Sequence, residues 1–356
     1  MSEIYCKAPW TSVSYMPGGK YSPCCAWSGN TFISQAEMTE TIGGAFLRGE
    51  VPKECANPCP PGRPGWREMY SKYETDYTTH KINFLDFRNN NLCNLKCRSC
   101  GPEFSTSWSS ELGVQDISLY NPVNVAEMDL NECRQIYFAG GEPFLNPQHY
   151  QVLEKLIEQG ADPAIMYSTN MTVLSAKSKH VKDLWPSFSF INVHASIDAV
   201  GKYAGIVRSG SDWNTVESNL RWVLAQPNCN IKIATVISAI NIWWLPELFE
   251  YFSWLSLDQF EPVLANVDAV IGLGSIPDQY RDSLIKMLEQ SKFANHVNMR
   301  GAVDALHNQC YNATNWYRFL SQQLIQDNYR NEKWFDNLPV KHAVYKKTLQ
   351  TGQTNE

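Results

Sequence analysis

The sequence predicts an α/β protein in which six short strands alternate with helices, flanked by a small cysteine-rich N-terminal module and a helical C-terminal region. Three observations carry this reading. Apolar, alternating runs fall near 82–88, 135–139, 163–168, 189–197, 230–237 and 259–268, the pattern of half-buried or buried strands. The intervening stretches have helical periodicity with recognisable starts and stops. All but three of the eleven cysteines lie within the first 100 residues. Strands separated by helices need crossover connections and therefore a parallel sheet, which when curled is a partial (β/α)6 barrel.

The elements follow in order. Residues 82–88 form the first strand and run into Asn89, Asn90 and Asn91, which deliver Cys93 beyond its carboxyl end. Residues 135–139 form the second and stop in Gly140-Gly141-Glu142-Pro143. Glycines let a backbone approach a ligand closely, and the Glu142 carboxylate can accept from a cationic amine. Asn146-Pro147 opens a helix with proline at its first position, and Gly160 stops it. Asp212 or Asn214 caps a helix over 216–225, Pro246 opens one running to residue 254, and Asp278 starts one ending near residue 291. A last helix over 313–330 packs its apolar face inward. The division expected is 1–78 for the N-terminal module, 79–270 for the barrel and 271–356 for the C-terminal region, with a polar, frayed tail at 348–356.

Composition fits an enzyme of the cell interior. The 356 residues are 44% apolar, enough for a large domain plus a small one. There is no apolar run of membrane-spanning length and no signal-peptide pattern at the N-terminus, so a cytoplasmic location and no membrane partner are expected. Net charge is −6 and no basic run exceeds two residues, which argues against bulk nucleic acid as a partner. The cysteines are too sparse for a disulfide scaffold, and their grouping points to metal. The scattered Cys133, Cys229 and Cys310 read as buried small hydrophobes.

Cys93, Cys97 and Cys100, spaced C-x3-C-x2-C in one loop, can hold three corners of an iron–sulfur cube. The fourth iron is then open to a small molecule. Zinc is the competing occupant, but it usually takes a fourth protein ligand. In the N-terminal module Cys6, Cys24, Cys55 and Cys59 suffice to close a second cube, with Cys25 able to replace Cys24 and a zinc clip as the alternative. If both sets bound zinc, the chain would be a non-enzymatic binding or scaffold protein.

Together, the three-cysteine loop and the Gly-Gly-Glu turn resemble the radical S-adenosylmethionine (SAM) superfamily, over most of 82–270. Tyr167-Ser-Thr-Asn170 is similar to that family's third-strand segment, with Met171 where a glycine is common. His194-Ala-Ser-Ile-Asp198 is similar to its Ser-x-Asp fourth-strand ending, Arg208 matches a frequent arginine, and 231–238 its fifth strand. Ser99 departs from the aromatic residue usual before the third cysteine. The resemblance implies a partial TIM-type barrel whose [4Fe-4S] cluster cleaves SAM reductively to a 5′-deoxyadenosyl radical. It implies that Cys93, Cys97 and Cys100 hold the cluster, while Glu142, Gly140, Gly141 and Pro143 form the turn that binds the amino group of SAM. Arg208 or Ser196 would hold the carboxylate, and Ser168, Asn170 and Asp198 the ribose. A flavodoxin- or ferredoxin-like protein would donate the electron, and the substrate would be a peptide, a small metabolite or a nucleotide. The series Cys6, Gly19, Cys24, then Cys55 and Cys59, resembles the opening of twitch and SPASM auxiliary-cluster domains, here placed before the barrel instead of after it.

Overall fold

In the first unit the strands alternate as their sequences require. The computed structural model describes residues 4–60, 65–114, 123–256, 259–265 and 269–338; the tail over 348–356 lies outside them. The chain forms two compact units, Met1–Lys96 with Gly101–Ala195 and Thr215–Ile231, and Cys97–Cys100 with Ser196–Asn214 and Lys232–Glu356. This division cuts across the segments 1–78, 79–270 and 271–356.

The first unit contains β1 (Ser12–Met16), β2 (Lys20–Ser22), β3 (Phe84–Phe87), β4 (Gln135–Phe138), β5 (Ala164–Thr169) and all but the last residue of β6 (Ile191–Ser196). They lie in the order β6-β5-β4-β3-β1-β2. All neighbours are parallel except β1 and β2, which form a hairpin with Met16 opposite Lys20. Gly18 and Gly19 take φ of 79° and 68° in its turn, where a side chain would be strained. Gly19, read in the sequence as part of a cysteine spacing, is thus also a hairpin residue. Neither β1 nor β2 was expected from the sequence.

One face of this sheet is apolar. Ile136, Phe138, Ile165, Tyr167, Ile191 and Val193 are fully buried, and Phe138 stacks on Tyr167 at 5.2 Å. Helix α2 (Pro147–Gln159), after α1 (Thr106–Leu112), presents His149, Val152, Leu153 and Leu156 as its buried stripe. Asn146 caps α2 by accepting from Gln148 N at 3.0 Å, and Gly160 ends it at φ 65°, as the sequence predicts. His149 Nε2 pairs with Tyr167 OH at 2.8 Å. Burial pushes this histidine down to about 3, so it is a neutral core residue.

Strand β7 (Cys229–Ile237) passes from the first unit into the second, where it pairs in parallel with β8 (Phe260–Leu264). α3 (Trp213–Leu224) precedes it, and α4 (Leu245–Tyr251), with proline in its first turn, follows. All six predicted strands are therefore present within a few residues of their expected ends, and the protein is of the α/β class with mostly parallel strands. The C-terminal region is helical, as expected: α5 (Asp278–Glu289), α6 (Val297–Asn308) and α7 (Ala313–Arg330). The buried face of α7 begins apolar with Trp316, Phe319 and Leu320 and becomes polar with Gln323, Gln326 and Asp327. No described helix is long and apolar enough to cross a membrane. Cys133 is buried and Cys229 half-buried, whereas Cys310 is exposed in the turn between α6 and α7 and is not a core residue.

Candidate active site

In the first unit, the Gly-Gly-Glu turn presses on the chain that leads to the cysteines. A Cβ on Gly141 would lie 2.1 Å from Leu92 O, and one on Gly140, at φ 110°, would lie 2.8 Å from Asn90 O. Glu142 N donates to Leu92 O at 2.5 Å. The glycines thus serve a close approach to the protein's own backbone, directly before Cys93. The asparagine run fixes that backbone. Asn89 accepts from Asn146 Nδ2 at 2.8 Å, Asn90 Oδ1 accepts from Leu92 N at 3.0 Å, and Asn91 Nδ2 donates to Pro102 O at 3.0 Å. At the start of α1, Thr106 Oγ1 accepts from Cys93 N at 3.2 Å and Ser107 Oγ donates to Cys93 O at 2.8 Å.

Glu142 is 1% exposed. Its carboxylate accepts from Asn170 N and Thr169 Oγ1 at 2.8 Å each and from Phe144 N at 3.3 Å, tying the end of β4 to the end of β5. Pro143 begins the single 3-10 turn that Glu142 caps. Asn170 Nδ2 reaches Cys93 Sγ at 3.8 Å and Asn94 Oδ1 at 3.2 Å. The structure therefore gathers Cys93, the Gly140–Glu142 turn and Asn170. Ser168 instead shares a 2.6 Å bond with Tyr137 OH on the sheet face opposite the apolar one. That face also carries Arg88, which is bidentate to the fully buried Asp86 at 2.9 and 2.8 Å and lies 5.6 Å from the Tyr137 ring. Asn192, in register with Met166, and His194, in register with Ser168, continue it. Composition and spacing gave no sign of this face, though its residues occupy the half-buried positions of the alternation.

Met171 holds φ 61° with its side chain fully buried. This is the left-handed conformation for which the family's glycine is suited, and it costs a non-glycine residue about 1–2 kcal/mol. Removing a buried methionine costs about 2–5 kcal/mol, so packing outweighs strain. Met171→Gly is expected to lower unfolding free energy by about 1–3 kcal/mol in denaturant titrations; a variant as stable as the parent would mean that the strain decides.

In the second unit, Cys97 is 9% exposed and Cys100 N donates to Cys97 O at 3.0 Å. Arg208 Nη1 contacts Cys97 Sγ at 3.8 Å, and Nη2 pairs with Asp198 Oδ2 at 2.7 Å. Asp198 Oδ1 accepts from Val236 N at 2.9 Å. Burial pushes the Cys97 thiol up, opposed by the Arg208 charge. Burial works against the Arg208 charge, but Asp198 and Cys97 more than offset it, so the guanidinium stays protonated. Its Nε is buried with no hydrogen-bond partner among the described residues, an unspent donor beside the thiol. Cys97, Asp198 and Arg208 are thus together, and Ser196 is half-buried at the end of β6. Sequence reasoning missed Arg98, whose buried guanidinium is described below; nothing in its local pattern marks it.

The N-terminal cysteines behave as a set. Cys6, Cys24, Cys55 and Cys59 line one pocket, together with Arg67 and Tyr70. Cys25 is not among the lining residues; its charged neighbours are Asp86 and Arg88. Burial raises Cys6 to about 11 and Cys55 to about 12, and pushes Cys24 up as well. Thiols with raised pKa release protons when a metal binds them. Among the described residues, no group of three or more His, Cys, Asp or Glu side chains is arranged to hold a single metal ion.

Solved structures similar to this chain include anSMEcpe with bound AdoMet, with 17% identity, a TM-score of 0.40, and coverage of 59% of this chain and 60% of that one. Streptococcus suis SuiB bound to precursor peptide SuiA has 14% identity, a TM-score of 0.38, and coverage of 60% and 45%. TYW1 with a lysine-pyruvate adduct has 15% identity, a TM-score of 0.31, and coverage of 57% and 71%. The match thus spans less than two thirds of anSMEcpe. No curated protein sequence matches. Residues 90–251 match the family model described as the Radical SAM superfamily.

Proposed function

We propose that this protein is a radical SAM enzyme with two [4Fe-4S] clusters, one held by Cys93, Cys97 and Cys100 and an auxiliary one held by Cys6, Cys24, Cys55 and Cys59. One observation carries the reading: the segment matching the superfamily contains three thiols at C-x3-C-x2-C spacing, the first of them directly after the backbone on which the Gly140–Glu142 turn rests. Cys93, Cys97 and Cys100 would hold the first cluster, which when bound would supply the electron for reductive cleavage of SAM and so the radical that takes hydrogen from the substrate. The protein contributes position and charge. Asn170 Nδ2 lies against Cys93 Sγ and the Arg208 guanidinium against Cys97 Sγ, where N–H donors would stabilise thiolate charge.

Arg208, with its unspent Nε, is the residue suited to the SAM carboxylate. Glu142, already holding Thr169 and Asn170 in place, orients the turn whose backbone meets the SAM amino group. The half-buried polar face of Arg88, Tyr137, Ser168 and His194 supports a polar substrate, whether peptide, small metabolite or nucleotide. The four-thiol pocket supports a twitch-like auxiliary module; a flavodoxin- or ferredoxin-like electron donor and a cytoplasmic setting complete the proposal. Anaerobic reconstitution tests the proposal. About eight irons and eight sulfides per chain are expected; stoichiometric zinc without sulfide would remove the radical chemistry and leave a zinc-stabilised scaffold.

A further inference from the structure

We propose that Arg98 is a positioning residue that locks the Cys97–Cys100 turn onto the end of α7 and the segment after it. The inference rests on the reading of this turn as a cluster site. Arg98 follows Cys97 directly, and its side chain is 0% exposed. Its backbone N donates to Val207 O at 3.0 Å and its Nε to Ile206 O at 2.7 Å. Nη1 donates to Gln323 Oε1 at 3.1 Å and to Gln323 O at 3.4 Å. Nη2 is paired with Asp327 and, at 2.6 Å, with Glu332 Oε2.

The two carboxylates are themselves held. Trp334 N donates to Asp327 Oδ1 and Oδ2 at 3.2 and 3.0 Å, and Glu332 N donates to Asp327 O at 3.0 Å. Ser209 Oγ donates to Glu332 Oε1. Ser209 follows Arg208, which touches the Cys97 sulfur. One carboxylate, Glu332, therefore fixes the residues flanking that sulfur on both sides, through Arg98 and through Ser209.

A structural role alone does not account for this arrangement. The C-terminal region already has apolar anchors: Phe319 and Trp334 are fully buried and meet edge to face at 5.4 Å, and Trp334 Nε1 donates to Ile240 O at 3.1 Å. Ion pairs removed from water contribute little net stability, because desolvation offsets their attraction, but they fix geometry when every donor is used. Only a planar, forked cation reaches three carbonyl or amide oxygens and two carboxylates from one position.

The test is per-cysteine alkylation by iodoacetamide, read by mass spectrometry, on the metal-free full-length chain and on Glu332→Gln, Arg98→Lys and Ser209→Ala. Glu332→Gln keeps shape and removes the charge; Arg98→Lys keeps the charge and removes the fork. Both are expected to raise the alkylation rates of Cys97 and Cys100 about tenfold through local opening, leaving core Cys133 unchanged. Ser209→Ala, the mildest variant, is expected to raise them by a smaller factor and serves if the other two fail to fold. Parental rates at Cys97 and Cys100 in the folded variants would overturn the proposal, as would a rise shared by Cys133, which would mean that the network only stabilises the fold. Because no metal is present, the outcome is separate from the cluster reading: loop-specific acceleration in a chain that takes up no iron would sink that reading and keep the clamp.

Discussion

Cys97→Ala is expected to abolish SAM cleavage and to halve the iron of the reconstituted protein, from about eight to about four per chain. Of the three thiols in the loop, Cys97 is buried while Cys93 and Cys100 are half-buried, and it has a cation against its sulfur. Alanine leaves that corner of the cluster without a ligand, and two remaining thiolates do not hold an iron–sulfur cube that also keeps one iron open. The surroundings tolerate the loss. Arg208 keeps its 2.7 Å pair with Asp198, and Arg98 keeps its partners on α7 and beyond, so the fold persists while the site fails. The N-terminal thiols line their own pocket and should retain their share of iron. Deoxyadenosine release under reducing conditions, with iron and sulfide assays on the same sample, separates the two sites. Undiminished deoxyadenosine from this variant would place the chemistry in another loop.

What the sequence revealed and what it hid divide along physical lines. The six strands and α2 were legible because their signals are local: alternation in Ala164–Thr169 buries every second side chain, and Asn146, Pro147 and Gly160 mark helix ends by backbone chemistry that any context preserves. The spacing of Cys93, Cys97 and Cys100 is equally local. Pairing is not. β1 lies beside β3, with Ser14 opposite Asp86, and nothing in Ser12–Met16 announces a partner about 70 residues away. The same holds for Arg98 with Asp327 and Glu332, brought together across more than 225 residues, and for the line of Asp86, Tyr137 and Met166 across three strands. The choice between Cys24 and Cys25 was open in the sequence because adjacent residues on an irregular segment have no periodicity to separate them. In the fold, Cys24 shares a pocket with the other three thiols and Cys25 has Asp86 and Arg88 as its charged neighbours. Met171 shows the converse case, a family position filled by a residue that its backbone conformation disfavours and its packing retains.

Gly141→Ala is the second large effect. The added methyl would sit 2.1 Å from Leu92 O, 2.6 Å from Leu92 C and 2.7 Å from Asn91 C, so all three clashes are with backbone and no side-chain rotation relieves them. That backbone cannot retreat cheaply. Leu92 O accepts from Glu142 N, Asn91 is tied to Pro102, and Leu92 N is held by Asn90. Either the turn or the approach to Cys93 must move, and each carries a functional group: Glu142 with Thr169 and Asn170 on one side, Cys93 on the other. Overpacking of this kind costs about 1–3 kcal/mol and more where the neighbours are rigid. Gly140→Ala is the natural comparison, since its contact with Asn90 O at 2.8 Å is less severe though still too close for a Cβ, and its φ of 110° adds strain of about 1–2 kcal/mol. Gly141→Ala should therefore be the less stable of the two in denaturant titrations. It should also lose iron from the three-cysteine site while the N-terminal iron remains, because the displacement is confined to the backbone next to Cys93. Parental stability and a full complement of iron in Gly141→Ala would show that the turn and the cysteine loop can move apart without cost, and that the Gly-Gly pair is not there to let them touch.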